Sequence, residues 1–179
     1  MTDYFALLNQ PRAAWLDPEQ LREAFHAQTR QAHPDASGDD AAFAEVNQAY
    51  QVLREPKRRI QHLLALLGDL PAQQSAAIPP DIAELFPGVA ALTRKADVVL
   101  EQSRSATSSL SRSLVRPELV RTREEVEQLR SELQAMVDRA DEQLQSADHV
   151  SELRELYLRF SYLARWLSEL EEKLLQLSA

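Results

Sequence analysis

Apolar residues recur at alternating intervals of three and four along most of the second half of the chain. Val150, Leu153, Tyr157, Phe160, Ala164, Leu167, Leu170, Leu174 and Leu177 form the fullest set. Two further sets are Val89, Leu92, Ala96, Val99, Ser103, Ala106 and Leu110, and Leu119, Thr122, Val126, Leu129, Leu133, Met136 and Ala140. Residues so spaced share one side of an α-helix, and a helix with one apolar stripe must bury it against another surface. The pattern predicts three long helices, either folded together as an antiparallel three-helix bundle or arranged as a helical coiled coil between chains. Three glycines in 179 residues leave little material for hairpin turns or phosphate-cradling loops. The expected fold class is all-α.

Other classes fall away on chemistry. No cysteine is present, which excludes disulfides and thiolate metal sites, and His62 and His149 stand apart from any ligand cluster, so neither metal nor cofactor is expected. A net charge of −8 and a pI near 5.1 argue against nucleic acid as a partner. The N-terminus lacks a secretory signature and no apolar run reaches the roughly 18 residues of a membrane span, so a soluble, cytoplasmic protein with no membrane partner is expected. The glutamate-rich stretch from Glu124 to Glu142 interleaves Arg130 and Arg139 and reads as a salt-bridged solvent face. No serine, histidine and acid stand in a nucleophile motif. No catalytic residue is assigned, and the chain is expected not to be an enzyme.

Pro71, Pro79 and Pro80 bracket the small, polar stretch 72–77, where periodicity lapses. This divides the chain into residues 1–70, a linker at 71–80, and residues 81–179. In the first part, Tyr4 to Leu8 suits a short helix, and Asp17-Pro18-Glu19 supplies an N-cap, a first-turn proline and an acidic first turn. Leu21, Phe25 and Ala32 continue that helix until Pro34 stops it. A second helix follows from Asp39 or Asp40 to about Glu55, with Phe43, Val46, Tyr50 and Leu53 largely on one side. A third runs from Lys57 to Leu67 with Gly68 as its cap. Farther on, Pro117-Glu118 reads as a helix start, Asp148 as the cap of the last helix, and Pro87-Gly88 as a break in the first of the long helices.

His33-Pro34-Asp35 sits in the short connection between the two amphipathic helices of the first part. With Asp3-Tyr4-Phe5-Ala6-Leu7-Leu8 before it and Asn47-Gln48-Ala49-Tyr50-Gln51-Val52-Leu53-Arg54 after it, the segment from about residue 3 to 68 resembles the J-domain of the DnaJ family. That resemblance implies an antiparallel helix pair with short flanking helices. It also implies a co-chaperone that docks on a heat-shock-70-class chaperone, of HscA or DnaK type, and stimulates its ATPase. His33, Pro34 and Asp35 would be the trigger. Arg22, His26 and Arg30, which recur every four residues, would present a basic face to the partner, with Lys57 and Arg58 extending it. Gln28, Ala32 and Ala36 depart from the family's usual residues, which bears on the strength of J-domain activity.

A J-domain followed by a proline-containing linker and a helical region, without a Gly/Phe-rich or cysteine-rich segment, resembles the HscB group of iron–sulfur co-chaperones. Arg30-Gln31, Arg58-Arg59 and the ending Leu163-Ala164-Arg165-Trp166-Leu167 agree with it. The resemblance implies a C-terminal oligomerisation and client-binding domain and delivery of the iron–sulfur scaffold protein IscU. The corresponding stretch offers Ile82, Leu85 and Phe86, with Phe160 from the last helix, as client-binding positions. A different client on the same J-domain, or an adaptor with a degenerate J-domain, are the alternatives, and the oligomeric state is open.

Overall fold

The computed structural model describes residues 1–32, 40–69 and 77–178. His33, Pro34, Asp35 and Ala36, and the linker positions 71–76, lie outside the described residues. Among the described residues the chain forms seven α-helices and no strand. These are α1 (Tyr4–Leu7), α2 (Pro18–Ala32), α3 (Asp40–Leu53), α4 (Pro56–Leu66), α5 (Pro80–Ser105), α6 (Ser109–Gln143) and α7 (Val150–Ser178). The all-α expectation holds. Backbone contacts divide the chain into two units, Met1–Ala77 with Asp141–Tyr157, and Ile78–Ala140 with Leu158–Ala179.

In the first unit α3 is the central element, with α1, α2 and α4 packed on it. The Phe25 ring stacks on Tyr50 at 4.2 Å and ties the middle of α2 to the last turns of α3. Three ends in this unit have a clear chemical cause. Asp3 Oδ1 accepts from the backbone N–H groups of Phe5 and Ala6 and starts α1. Asp17 Oδ1 does the same for Glu19 and Gln20 at the start of α2, with Pro18 at the first helical position. At the end of α4, Gly68 has φ +78°. Asp69 N–H donates to Leu64 O at 2.9 Å and Gly68 N–H to Ala65 O at 3.1 Å, a Schellman closure whose positive φ favours glycine.

The second unit is a three-helix bundle. Ile82, Val89, Ala96 and Leu100 from α5, Val126 and Leu133 from α6, and Leu163, Trp166, Leu170 and Leu177 from α7 form one buried cluster within a single chain. The apolar stripes therefore meet inside the chain. Cross-links fix the level of the helices. Arg159 pairs with Asp81 at 3.2 Å and Lys173 with Asp97 at 2.5 Å, so α5 and α7 run the same way. Lys95 bridges Glu118 and Glu125 of α6 at 3.1 and 2.7 Å.

Three local expectations are corrected. Pro87 and Pro117 lie inside α5 and α6 without ending either helix. An interior proline costs about 3 kcal/mol, but Ile82 and Val89 are buried on either side of Pro87, and Thr122 and Val126 are buried just past Pro117. Burial of such stripes outweighs one lost hydrogen bond. The start of α6 is instead made by serines: Ser111 N–H donates to Ser108 Oγ at 3.0 Å and Ser108 N–H to Ser111 Oγ at 3.1 Å. At α7 the carboxylate that serves the helix start is Glu152, which accepts from the N–H groups of Asp148 and His149 at 3.2 Å each.

Candidate functional site

Helix α2 leads directly into the segment that carries His33-Pro34-Asp35, and its two faces are chemically distinct. Leu21 is buried and Phe25 stacks on Tyr50, whereas Arg22, His26 and Arg30 are all exposed. A four-residue interval puts these three on one side, about 6 Å apart along the axis at each step. Arg22 is partly neutralised by Glu19, three residues before it. Arg30 lies in the last turn, where a cation is favoured by the helix carbonyls. Gln28 and Ala32 are half-buried, so the Gln28 amide keeps access to water and the penalty of an enclosed amide is relieved.

The basic triplet Lys57-Arg58-Arg59 splits by role. Arg58 pairs with Glu55 at 2.8 Å on the surface, and Lys57 is half-buried at the start of α4. Arg59 turns inward. Its Nε donates to Ala14 O at 2.6 Å and its Nη1 to Leu53 O at 2.8 Å. The guanidinium thus caps the end of α3 and pins the loop between α1 and α2. Burial lowers its pKa, opposed by the charge of Asp141. Three like charges in a row gave no sign of this division; the apolar spacing Ile60, Leu63 and Leu64, which puts Arg59 beside the inward face, was the available signal.

His62, which stands apart from any ligand cluster in the sequence, is buried. Its Nε2 accepts from Tyr4 N–H at 3.1 Å, and its ring stacks on Tyr4 at 4.6 Å and on Phe5 at 5.7 Å. Accepting at Nε2 requires the neutral ring with its proton on Nδ1. Burial pushes its pKa below the usual histidine value, with Asp3 opposing. Asp69, next to the capping glycine, receives both Nε and Nη2 of Arg154 at 2.5 and 2.7 Å. The hydrogen bond from Arg154 is the main cause of its lowered pKa.

The four expected client positions are not equivalent. Ile82 and Phe160 are buried and present no surface, because each belongs to the inward stripe of its helix. Leu85 is half-buried and Phe86 is exposed. Phe86 meets Tyr162 and Trp166 edge-on at 5.2 and 4.9 Å, a cluster across α5 and α7. Tyr162 was missed, although its four-residue spacing from Trp166 places both on one side of α7.

Residues 3–62 match the family model for the DnaJ domain. The N-terminal segment is a J-domain. Within it, 63 residues are 40% identical to the Chaperone protein DnaJ of Dictyoglomus thermophilum (strain ATCC 35947 / DSM 3960 / H-6-12), over 34% of this chain and 16% of that protein. Another 62-residue alignment is 39% identical to the Chaperone protein DnaJ of Ureaplasma parvum serovar 3 (strain ATCC 700970), again over 34% of this chain and 16% of the relative. The shared region is thus a small part of either relative. Over nearly the whole length the fold is similar to Chaperone HscB from Vibrio cholerae, with TM-score 0.54, 22% identity and 96% of each chain covered. That likeness is one of fold, and it spans both the N-terminal J-domain and the C-terminal helical bundle of this chain. Among the described residues no helix is long and apolar enough to cross a membrane, and no group of three or more histidines and acids could hold a metal ion.

Proposed function

We propose that the chain is a co-chaperone that docks on a heat-shock-70-class chaperone, of HscA or DnaK type, and stimulates its ATPase without hydrolysing anything itself. The observation that carries this reading is the J-domain at residues 3–62, which holds His33-Pro34-Asp35 directly after a helix with an exposed Arg22, His26 and Arg30 face. The Arg22 and Arg30 guanidinium groups of that face engage an acidic surface of the partner and orient the tripeptide, and Asp35 offers its carboxylate to a partner arginine. A charge pair desolvated at an interface couples by about 1.5–7 kcal/mol, so loss of one carboxylate should abolish stimulation. The test is the steady-state ATPase rate of the chaperone with added protein: the parent raises it, and His33→Gln and Asp35→Asn do not, with helicity unchanged. Stimulation by either variant equal to that of the parent would overturn the trigger assignment.

The client in this reading is the iron–sulfur scaffold protein IscU. The fold likeness to HscB over the length of the chain supports it, and the exposed Phe86, packed against Tyr162 and Trp166, supplies an apolar surface for such a client. Without cysteine the chain offers no thiolate to a cluster, so its part in assembly is to carry the scaffold. The working compartment is the cytoplasm, with no nucleic acid or membrane partner. Capture of purified scaffold by the parent and its loss on Phe86→Ser is the expected result. Chaperone stimulation without scaffold capture would assign the J-domain to another client.

A further inference from the structure

Helix α1 is a single turn of four residues and is too short to stand without a surface that receives it. At its first residue that surface is a titratable ring. Tyr4 N–H, which has no partner within its own helix, donates to His62 Nε2 of α4 at 3.1 Å. The same ring stacks on Tyr4 at 4.6 Å and on Phe5 at 5.7 Å, and it is only 7% exposed. Phe5 and Leu8 complete the seam, and both are fully buried. The other tether of this end, from Thr2 Oγ1 to Glu45 of α3 at 2.7 Å, lies on the surface.

The seam admits one protonation state of the ring. Nε2 can accept only while the imidazole is neutral; an imidazolium is a donor at both nitrogens. It would turn an N–H against the Tyr4 N–H and leave two buried donors without an acceptor, a costly arrangement. The charges around the ring do not relieve this. Asp3 favours the charged ring, but Arg12 holds that carboxylate at 2.7 Å. On α3, Glu45 is engaged by Thr2. On α4, Arg58 pairs with Glu55, and Arg59 donates to Ala14 O and Leu53 O. From the 141–157 segment, Asp141 acts on Arg59, and Asp69 takes Arg154. Burial lowers the pKa of the ring, with Asp3 opposing.

We propose that His62 is an acid-operated latch: protonation of its ring releases α1 from α4 while α2, α3 and α4 stay folded together, and opens Phe5 and Leu8 to solvent. The remaining ties of the unit contain no group that titrates near neutrality. Phe25 still stacks on Tyr50, and Arg59 still holds Ala14 O and Leu53 O. The docked ring is neutral, whereas the released ring takes up a proton at the ordinary histidine value of about 6.5. Each pH unit below that value favours release by about tenfold, which reaches about thirtyfold at pH 5. The latch belongs to the packing of the J-domain itself and stands whatever the J-domain docks on.

Amide hydrogen exchange on the full chain, followed by NMR from about pH 7.5 to about pH 5, tests it. The rates are read as protection factors, which divide out the ordinary pH dependence of exchange. The Tyr4 amide should lose about thirtyfold in protection over that range. In His62→Gln, whose side-chain carbonyl can accept from Tyr4 N–H without titrating, the loss should be absent. Ala49 and Tyr50 on α3 should be more protected than Tyr4 at every pH. Constant protection of Tyr4 in the parent, the same fall in His62→Gln, or equal protection of Tyr4 and the two α3 amides at each pH would each overturn the proposal. The first and third of these are read on the parent alone and do not depend on how the variant folds.

Discussion

Replacing Arg59 with methionine keeps most of the side-chain volume and removes two hydrogen bonds from a charged donor, to Ala14 O and Leu53 O. Hydrogen bonds to charged groups are worth about 1.5–3 kcal/mol each, and both carbonyls would lose their cationic donor in a buried setting. Against this stands the recovered cost of desolvating the guanidinium, so the net loss should be about 3 kcal/mol. That is a large fraction of the roughly 5–15 kcal/mol by which domains are stable. Urea unfolding followed by Trp15 fluorescence reports on the first unit, once Trp166→Phe has removed the other indole. The control is Arg58→Met, whose exposed pair with Glu55 should be worth at most about 1 kcal/mol. A loss below about 1 kcal/mol for Arg59→Met, or equal losses for the two variants, would refute the assignment of Arg59 as the internal strut and of Arg58 as a surface charge.

Other expectations follow from single contacts. His62 has a lowered pKa when folded, so its contribution is complete above the ordinary histidine value and is lost as pH falls through the folded value. Unfolding of the parent should therefore become easier on acidification below about pH 6.5, and His62→Gln should flatten that part of the profile. Asp69 is lowered as well; its contribution is present above the ordinary carboxylate range and lost as pH falls through the folded value, a dependence that Asp69→Asn should remove from acid unfolding curves. Pro87→Ala restores a donor inside α5 and should raise the melting temperature of the bundle, by up to about 3 kcal/mol of stability. Thr122 is fully buried with its hydroxyl unpaired, so Thr122→Val should stabilise by about 1 kcal/mol in the same melts.

What could be read from the sequence was what local chemistry decides. Asp17-Pro18 and Gly68 mark ends because a carboxylate, a fixed φ and a positive φ act within a few residues, and the structure uses them so. The long stripes left a coiled coil open as the alternative to a bundle, since a stripe says that a partner exists and not which; the buried cluster drawn from α5, α6 and α7 decides for the bundle. Pro87 and Pro117 misled for the opposite reason. A local penalty was visible, and the burial that outweighs it depends on residues far along the chain. The membership of 141–157 in the first unit and the Asp69 to Arg154 bridge across 85 positions had no local signature at all. In the candidate site, the exposure of Arg22, His26 and Arg30 could be inferred from a four-residue interval opposite Phe25. The burial of Ile82 and Phe160 required knowing how the stripes close.

The most direct measurement is single-turnover ATP hydrolysis by the partner chaperone, preloaded with ATP and mixed with increasing amounts of the parent, Asp35→Asn, or Arg22→Glu/Arg30→Glu. The account predicts a saturable acceleration by the parent, none by Asp35→Asn at any concentration, and for the double charge reversal a curve displaced to higher concentration by about tenfold or more. An unaccelerated rate with the parent, or curves for all three proteins that superimpose, would contradict it.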